Sequence, residues 1–129
     1  MSDDLETVFI EIDRKSTNLS KNILIGVVYR PPGGSINSFV EKISPILNSI
    51  KNEKKYCYLL GDFNINLLNA DHHNPTSHFI DFMFSHEYFP LINRPTRVTH
   101  YTATLIDNIF TNNFDSSLSS IRCNFKSHI

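Results

Sequence analysis

The stretch "YCYLLGDFNINLL" (56–68) decides how this chain folds. A run of apolar, β-rich residues suited to a buried strand ends in Gly61, Asp62, Phe63 and Asn64, and then turns apolar again. In an extended strand, side chains two apart point to the same side. Asp62 and Asn64 are therefore expected to emerge together while Phe63 points into the packing. A carboxylate and a carboxamide delivered side by side at the end of a buried strand suit the wall of an active site. They equally suit a turn, because both side chains of a Gly-Asp-x-Asn segment bond nearby backbone. Spacing alone leaves the two readings open.

Upstream, "TVFIEI" (7–12) alternates, with Val8, Ile10 and Ile12 on one face, and "ILIGVVY" (23–29) is a continuous apolar run. The second pattern predicts a strand covered on both faces. The polar segment between them predicts a hairpin. "RPPGG" (30–34) breaks the chain, since its prolines fix φ and remove donors while its glycines permit unusual φ. Ile36, Phe39, Val40, Ile43, Ile46, Leu47 and Ile50 then follow one helical face. Pro45 lies inside that pattern and predicts a kink, or two short helices meeting there. "KNEKK" (51–55) reads as a solvated turn and makes a poor nuclear-localisation signal.

Downstream, "NADHHNPT" (69–76) predicts a loop with Asn74 as N-cap and Pro75 opening a helix that carries Phe79, Ile80, Met83 and Phe84 on one side. "FPLINRPTRVT" (89–99) is extended and interrupted by prolines, "ATLIDNIFTN" (103–112) predicts a strand, and "SSIRCNF" (119–125) is a candidate last one. Mixed strands and helices joined by short loops give an α/β or α+β class with covered sheets.

The totals agree with a globular chain. Its 129 residues suit one domain or a piece of one, 40% hydrophobic content supports a core, and 19% charged residues argue against disorder. A net charge of −1 leaves no basic footprint for nucleic acid over the chain as a whole. Cys57 and Cys123 form no CxxC pair, so neither a disulfide framework nor a zinc ribbon is expected, and a reduced intracellular chain is the default. The acidic start lacks the pattern of a signal peptide, and no apolar run approaches the ~20 residues of a membrane span. A soluble, intracellular protein is the expectation. His72, His73 and His78, with Asp71 and Asp81 nearby, fit no zinc spacing and read as exposed loop histidines.

Two more groups sit where chemistry is placed. In "TLIDNIF" (104–110), Leu105, Ile106, Ile109 and Phe110 surround a single carboxylate, Asp107. A buried charge needs a partner or a site that uses it, and the alternative is an aspartate on the exposed side of a half-buried strand. Tyr29 ends "ILIGVVY", where a tyrosine by itself reads as the edge of a core. Polar residues at the ends of three buried strands can converge on one rim.

Taken in order, "GVVYRPPG", "LLGDFNINL" and "RPTRVTHYTATLIDNIFTN" closely resemble the endonuclease/exonuclease/phosphatase superfamily, the fold of DNase I and the AP endonucleases. The Arg-Pro-Pro and Ile-Asp-x-Ile-Phe blocks look specifically like the endonuclease domain of LINE-type non-LTR retrotransposons. The resemblance implies a partial DNase I-like α/β sandwich, with covered mixed sheets and flanking helices, forming one partial domain over residues 1–129 with its N-terminal part missing. It gives Tyr29 the scissile phosphate, Asp62 the attacking water and a share of the metal, and Asn64 the task of holding that site together. Asp107 matches the carboxylate that orients a catalytic histidine. Arg30, Thr104 and Asn108 fall where phosphate or DNA contacts are expected, although Asn108 stands where the family often has histidine. Mg²⁺ is the implied cofactor and DNA the implied partner. A reverse transcriptase would accompany the domain in an intact element, and a nuclear location follows from the same resemblance.

Two parts of the pattern are lacking. The family's first asparagine strand and the strand bearing its metal-binding glutamate lie ahead of the part matched here. Its closing Ser-Asp-His is echoed by Ser127 and His128 without the aspartate, so His128 is either the catalytic histidine of a damaged motif or a coincidence. The expectation is a fragment of a Mg²⁺-dependent DNA-nicking domain, inactive alone. The alternatives are a phosphatase of the same superfamily acting on another phosphoester, and a non-catalytic remnant or binding module.

Overall fold

The computed structural model describes residues 5–114. In chain order these form β1 (Glu6–Ile12), α1 (Arg14–Thr17), β2 (Ile23–Tyr29), α2 (Ile36–Glu53), β3 (Tyr56–Asp62), a 3₁₀ turn (Leu67–Asn69), α3 (Asn74–Ser85), β4 (Phe89–Pro90), β5 (Arg97–Val98), β6 (Ala103–Thr104) and β7 (Asp107–Thr111). The main sheet runs β1-β2-β3-β7-β4, and β5 pairs with β6 in a separate ribbon. β1 and β2 form the expected antiparallel hairpin, with the one-turn α1 in its connection. β2 and β3 are parallel, so the chain must cross over between them, and α2 makes that crossover. β7 then runs antiparallel to β3. A mixed sheet with helices packed on it is the α/β class that the strand and helix patterns predict, and it agrees with the partial sandwich that the resemblance implies.

One face of the sheet carries the core. Val28, Leu59 and Phe110 point from it towards α2 and α3, whose stripes bury Phe39, Ile43, Leu47 and Ile50 from the first helix and Phe79 and Met83 from the second. Phe63, as its position predicts, is buried and meets Phe110 edge-on with centroids 5.2 Å apart, while Phe39 and Phe79 complete an aromatic knot around it. The opposite face is open. Val8, Ile10 and Val27 are 64%, 61% and 53% exposed. The expectation that "ILIGVVY" is covered on both faces is therefore corrected: its apolar run supplies one packed face and one bare one.

Three local expectations also change. α2 runs as one helix through Pro45 and continues into "KNEKK" as far as Glu53, where Lys54 closes it in the left-handed conformation. Its buried stripe continues on both sides of the proline, and that packing outweighs one missing N–H. Ser35 caps its start by accepting from the Ser38 amide. At α3 the cap falls on His73 rather than Asn74, with the His73 ring bonded to the Thr76 hydroxyl at 2.9 Å. The strand predicted over 103–112 is split: Ala103 and Thr104 pair with β5, and only Asp107 onward joins the main sheet. The candidate strand at 119–125, Cys123 and His128 lie outside the described residues. Among the described residues, no helix is long and apolar enough to cross a membrane.

Candidate active site

Strand register builds the site. Tyr29 lies opposite Asp62 in the parallel pair, and Asp62 lies opposite Asp107 in the antiparallel pair. Directly paired residues share a face, so these three side chains stand in one row across β2, β3 and β7, at the strand ends and on the open side of the sheet. The same register extends the row to Glu6, the partner of Tyr29 on β1. A shallow hollow of about 590 Å³, lined by Leu5, Glu6, Thr7, Val8, Val27 and Tyr29, adjoins that end. Glu6 does not stand out in the sequence, where it is one of several acids near the start; the hairpin register is the signal that finds it.

Two carboxylates directly opposite on neighbouring strands repel each other. The chain answers with Arg97, from β5. Its Nη2 donates to Asp62 Oδ2 at 3.4 Å and to Asp107 Oδ1 at 3.5 Å, and its Nε donates to Asp107 Oδ2 at 3.3 Å. The Thr96 hydroxyl adds a donor to Asp107 Oδ2 at 3.2 Å. Asp107, expected to need a partner, has one that the sequence reading did not assign. The side chains of Asp62, Asp107 and Arg97 are 25%, 38% and 57% exposed, so the cluster sits at a wet rim.

Asn64 does not follow the strand's period of two. It takes φ +50°, leaves the strand, and donates from Nδ2 to the Arg30 carbonyl at 2.6 Å. Its own amide donates to Asp62 Oδ1 at 3.0 Å. The turn chemistry and the converging row thus coexist: Asp62 gives one oxygen to the local backbone and the other to Arg97. A further bond, from the Arg30 amide to the Asp62 carbonyl at 3.0 Å, ties the ends of β2 and β3 together.

The remaining expected contacts lie elsewhere. Arg30 is turned inward, 7% exposed, with its guanidinium donating to the carbonyls of Gly34 at 2.7 Å and Asn64 at 3.3 Å, beside the Phe39 ring. In this position it braces the "RPPGG" break against the strand end instead of facing a phosphate. Asn108 is buried on the helix-facing side, because it pairs with Gly61 rather than with Asp62, and its amide exchanges bonds with the backbone of Ile92 at 2.9 and 3.1 Å. Thr104 is half-buried opposite Arg97 in the ribbon, where its carbonyl accepts from the Thr96 amide at 2.9 Å. His72, His73 and His78 are exposed. Cys57 is fully buried, and burial pushes its thiol up to about 11, which removes it as a nucleophile near neutral pH.

A hard divalent cation takes one or two carboxylates together with waters and phosphate oxygens. Asp62 and Asp107 are carboxylates of that kind, but their outward oxygens already carry the Arg97 guanidinium. Among the described residues, no three acid, histidine or cysteine side chains converge to hold a metal. The described residues therefore do not by themselves make a Mg²⁺ site.

The described residues, a mixed sheet backed by helices on one face, adopt part of a DNase I-like α/β fold, as the solved structures they match show. The endonuclease domain of TRAS1, a telomere-specific non-LTR retrotransposon, matches with a TM-score of 0.63 at 15% identity, over 89% of this chain and 59% of that one. An endonuclease/exonuclease/phosphatase family protein from Leptotrichia buccalis C-1013-b matches with a TM-score of 0.52 at 18% identity, over 83% of this chain and 42% of that one. This chain thus spans little more than half of the first neighbour and less than half of the second. No protein-family profile matches the sequence, and no curated protein matches it.

Proposed function

We propose that this chain is part of a phosphodiester-hydrolysing domain of the retrotransposon-endonuclease kind, with DNA as its substrate. The observation that carries the reading is the Tyr29–Asp62–Asp107 row, aligned by register on one face with Asn64 bracing its end, in a fold shared with an endonuclease domain. In this reading Asp62 positions the attacking water and accepts its proton, as in-line hydrolysis requires. Tyr29 contacts the phosphate, and Asp107 orients a histidine. Mg²⁺, the family's cofactor, would offset charge developing on the phosphate. Asp62 is the carboxylate that would share it, with further ligands from outside the described residues. The described residues offer no third ligand, so the chain alone is expected to be inactive.

The test is a nicking assay on supercoiled plasmid with Mg²⁺ and with EDTA. The 129-residue chain alone is expected to give no EDTA-sensitive nicking. A chimera in which residues 5–114 replace the matching part of the TRAS1 domain is expected to nick, and to lose that activity with Asp62→Ala. A folded chimera that leaves plasmid intact overturns the DNA reading. Release of phosphate from a small phosphomonoester by the same chimera would then favour the phosphatase alternative, which the family name of the second neighbour also spans. Failure on both substrates favours the non-catalytic remnant.

A further inference from the structure

We propose that the cavity between α2 and the β1–β2 hairpin binds a small amphiphilic amine: its apolar chain enters between Phe9, Leu24, Ile46 and Ile50, and its ammonium group rests on Glu53 at the mouth. The cavity holds about 390 Å³, towards the small end of the ~300–1,000 Å³ found for small-ligand sites. Leu24 and Lys55, which help to line it, lie at the strand ends opposite those that carry Tyr29 and Asp62, so the cavity is separate from the polar row. One wall depends on a missing side chain. A β-carbon on Gly26 would lie 2.4 Å from Phe9 Cε1, so the glycine gives the Phe9 ring its place over β2. The mouth is polar and carries a net negative charge. Lys55 Nζ donates to Glu11 Oε1 at 2.7 Å and to Glu53 Oε1 at 2.5 Å. Two carboxylates and one ammonium leave one negative charge, and the ammonium is the most enclosed of the three: the Lys55 side chain is 19% exposed, those of Glu11 and Glu53 39% and 51%. The second oxygen of Glu11 is held by Asn22 Nδ2 at 2.6 Å. Glu53 Oε2 accepts from the Ser49 hydroxyl at 3.3 Å, a long bond from a residue that lines the cavity. A ligand ammonium can replace that donor with a shorter, charge-assisted bond. The hydrogen bond from Lys55 holds the Glu53 carboxyl below the usual carboxylate range, so it is ionised at neutral pH. An anionic head would meet the two more exposed carboxylates before it reached Lys55.

The test reads binding, so its outcome is independent of any hydrolysis at the polar row. The full 129-residue chain is titrated with n-octylammonium, n-octanol and n-octanoate while the methyl signals of Leu24, Ile46 and Ile50 are followed by NMR. Those of Val8, Ile10 and Val27 record adsorption to the open sheet face. Octylammonium is expected to bind about fivefold more tightly than octanol, the worth of one close charge pair in water, and octanoate more weakly than octanol. n-Hexylammonium, shorter by two methylenes, is expected to bind about tenfold more weakly than octylammonium. Glu53→Gln makes the mouth neutral and should bring octylammonium down to the affinity of octanol. Glu53 is exposed at the end of α2, and unchanged octanol binding in the variant reports that the cavity is intact. Ile46→Trp, which fills the cavity, should abolish binding of both. Equal affinities for amine and alcohol in the wild type, tightest binding of octanoate, or an amine preference that survives Glu53→Gln overturns the proposal. So do shifts confined to Val8, Ile10 and Val27.

Discussion

Gly61 shows how closely the site's frame is drawn. Its φ is +150°, and a β-carbon there would collide with the backbone carbonyl of Val28 on the neighbouring strand. That approach lies one residue before Asp62 and beside the bond from the Arg30 amide to the Asp62 carbonyl. The obstacle is backbone, so no rotamer change relieves it. Gly61→Ala is expected to cost about 2–4 kcal/mol, combining an unfavourable φ with overpacking. Gly26 makes the contrast. A β-carbon there would meet the ring of Phe9, a side chain that can turn aside, and Gly26→Ala is expected to cost about 1 kcal/mol. Urea midpoints of the two variants check the order, and an equal shift in both would show that the β2–β3 contact relaxes.

At the scale of elements, α2 carries a proline that its packing tolerates. Pro45 is exposed, while Ile43 and Leu47 on either side of it are buried. A proline inside a helix costs about 3 kcal/mol, and its stiffening of the unfolded chain returns about 1. Pro45→Ala is therefore expected to stabilise the fold by about 2 kcal/mol, read as a higher urea midpoint; a lower midpoint would mean that the ring's packing matters more than the missing donor. The same stripe explains why α2 was legible in the sequence, as were β1, β2 and β3: each carries enough apolar residues in one period to declare itself. The two-residue strands β5 and β6 carry no period at all, and proline-rich sequence hides them. Arg97 is not legible in the sequence for that reason, since its contacts depend on how a ribbon lies against β7, which local sequence does not encode. Strand ends and side-chain parity suffice to bring Tyr29, Asp62 and Asp107 into one row. The same parity, which expects Asn64 beside Asp62, fails there because Asn64 leaves the strand at positive φ, while Arg30 turns inward and Asn108 sits on the opposite parity.

At the scale of the whole molecule, the open sheet face dominates the behaviour in solution. The helices cover one side, while Val8, Ile10 and Val27 stand exposed on the other, with β1 at the edge of the sheet formed by the described residues. A bare apolar face next to an unpaired edge promotes association. The chain is expected to self-associate as its concentration rises, and light scattering should report masses above that of a 14.9 kDa monomer. Replacing the patch tests the cause. Val8→Thr and Val27→Thr keep β-branching, and Ile10→Lys places on the edge strand the residue type that natural edges favour. Each removed side chain is worth about 1–2 kcal/mol if buried, so the triple variant should remain monomeric to roughly tenfold higher concentration or beyond. None of the three touches the buried cluster of Phe39, Phe63, Phe79 and Phe110, so folding should be unaffected. If the parent chain is a monomer with a sharp, reversible thermal transition, the open face is not sticky. If the triple variant associates as readily as the parent, the contact lies elsewhere; the exposed group of Phe84, Phe89 and Phe114, with Phe84 stacked on Phe89 at 4.9 Å and Phe114 edge-on to it at 5.2 Å, is then the surface to change next.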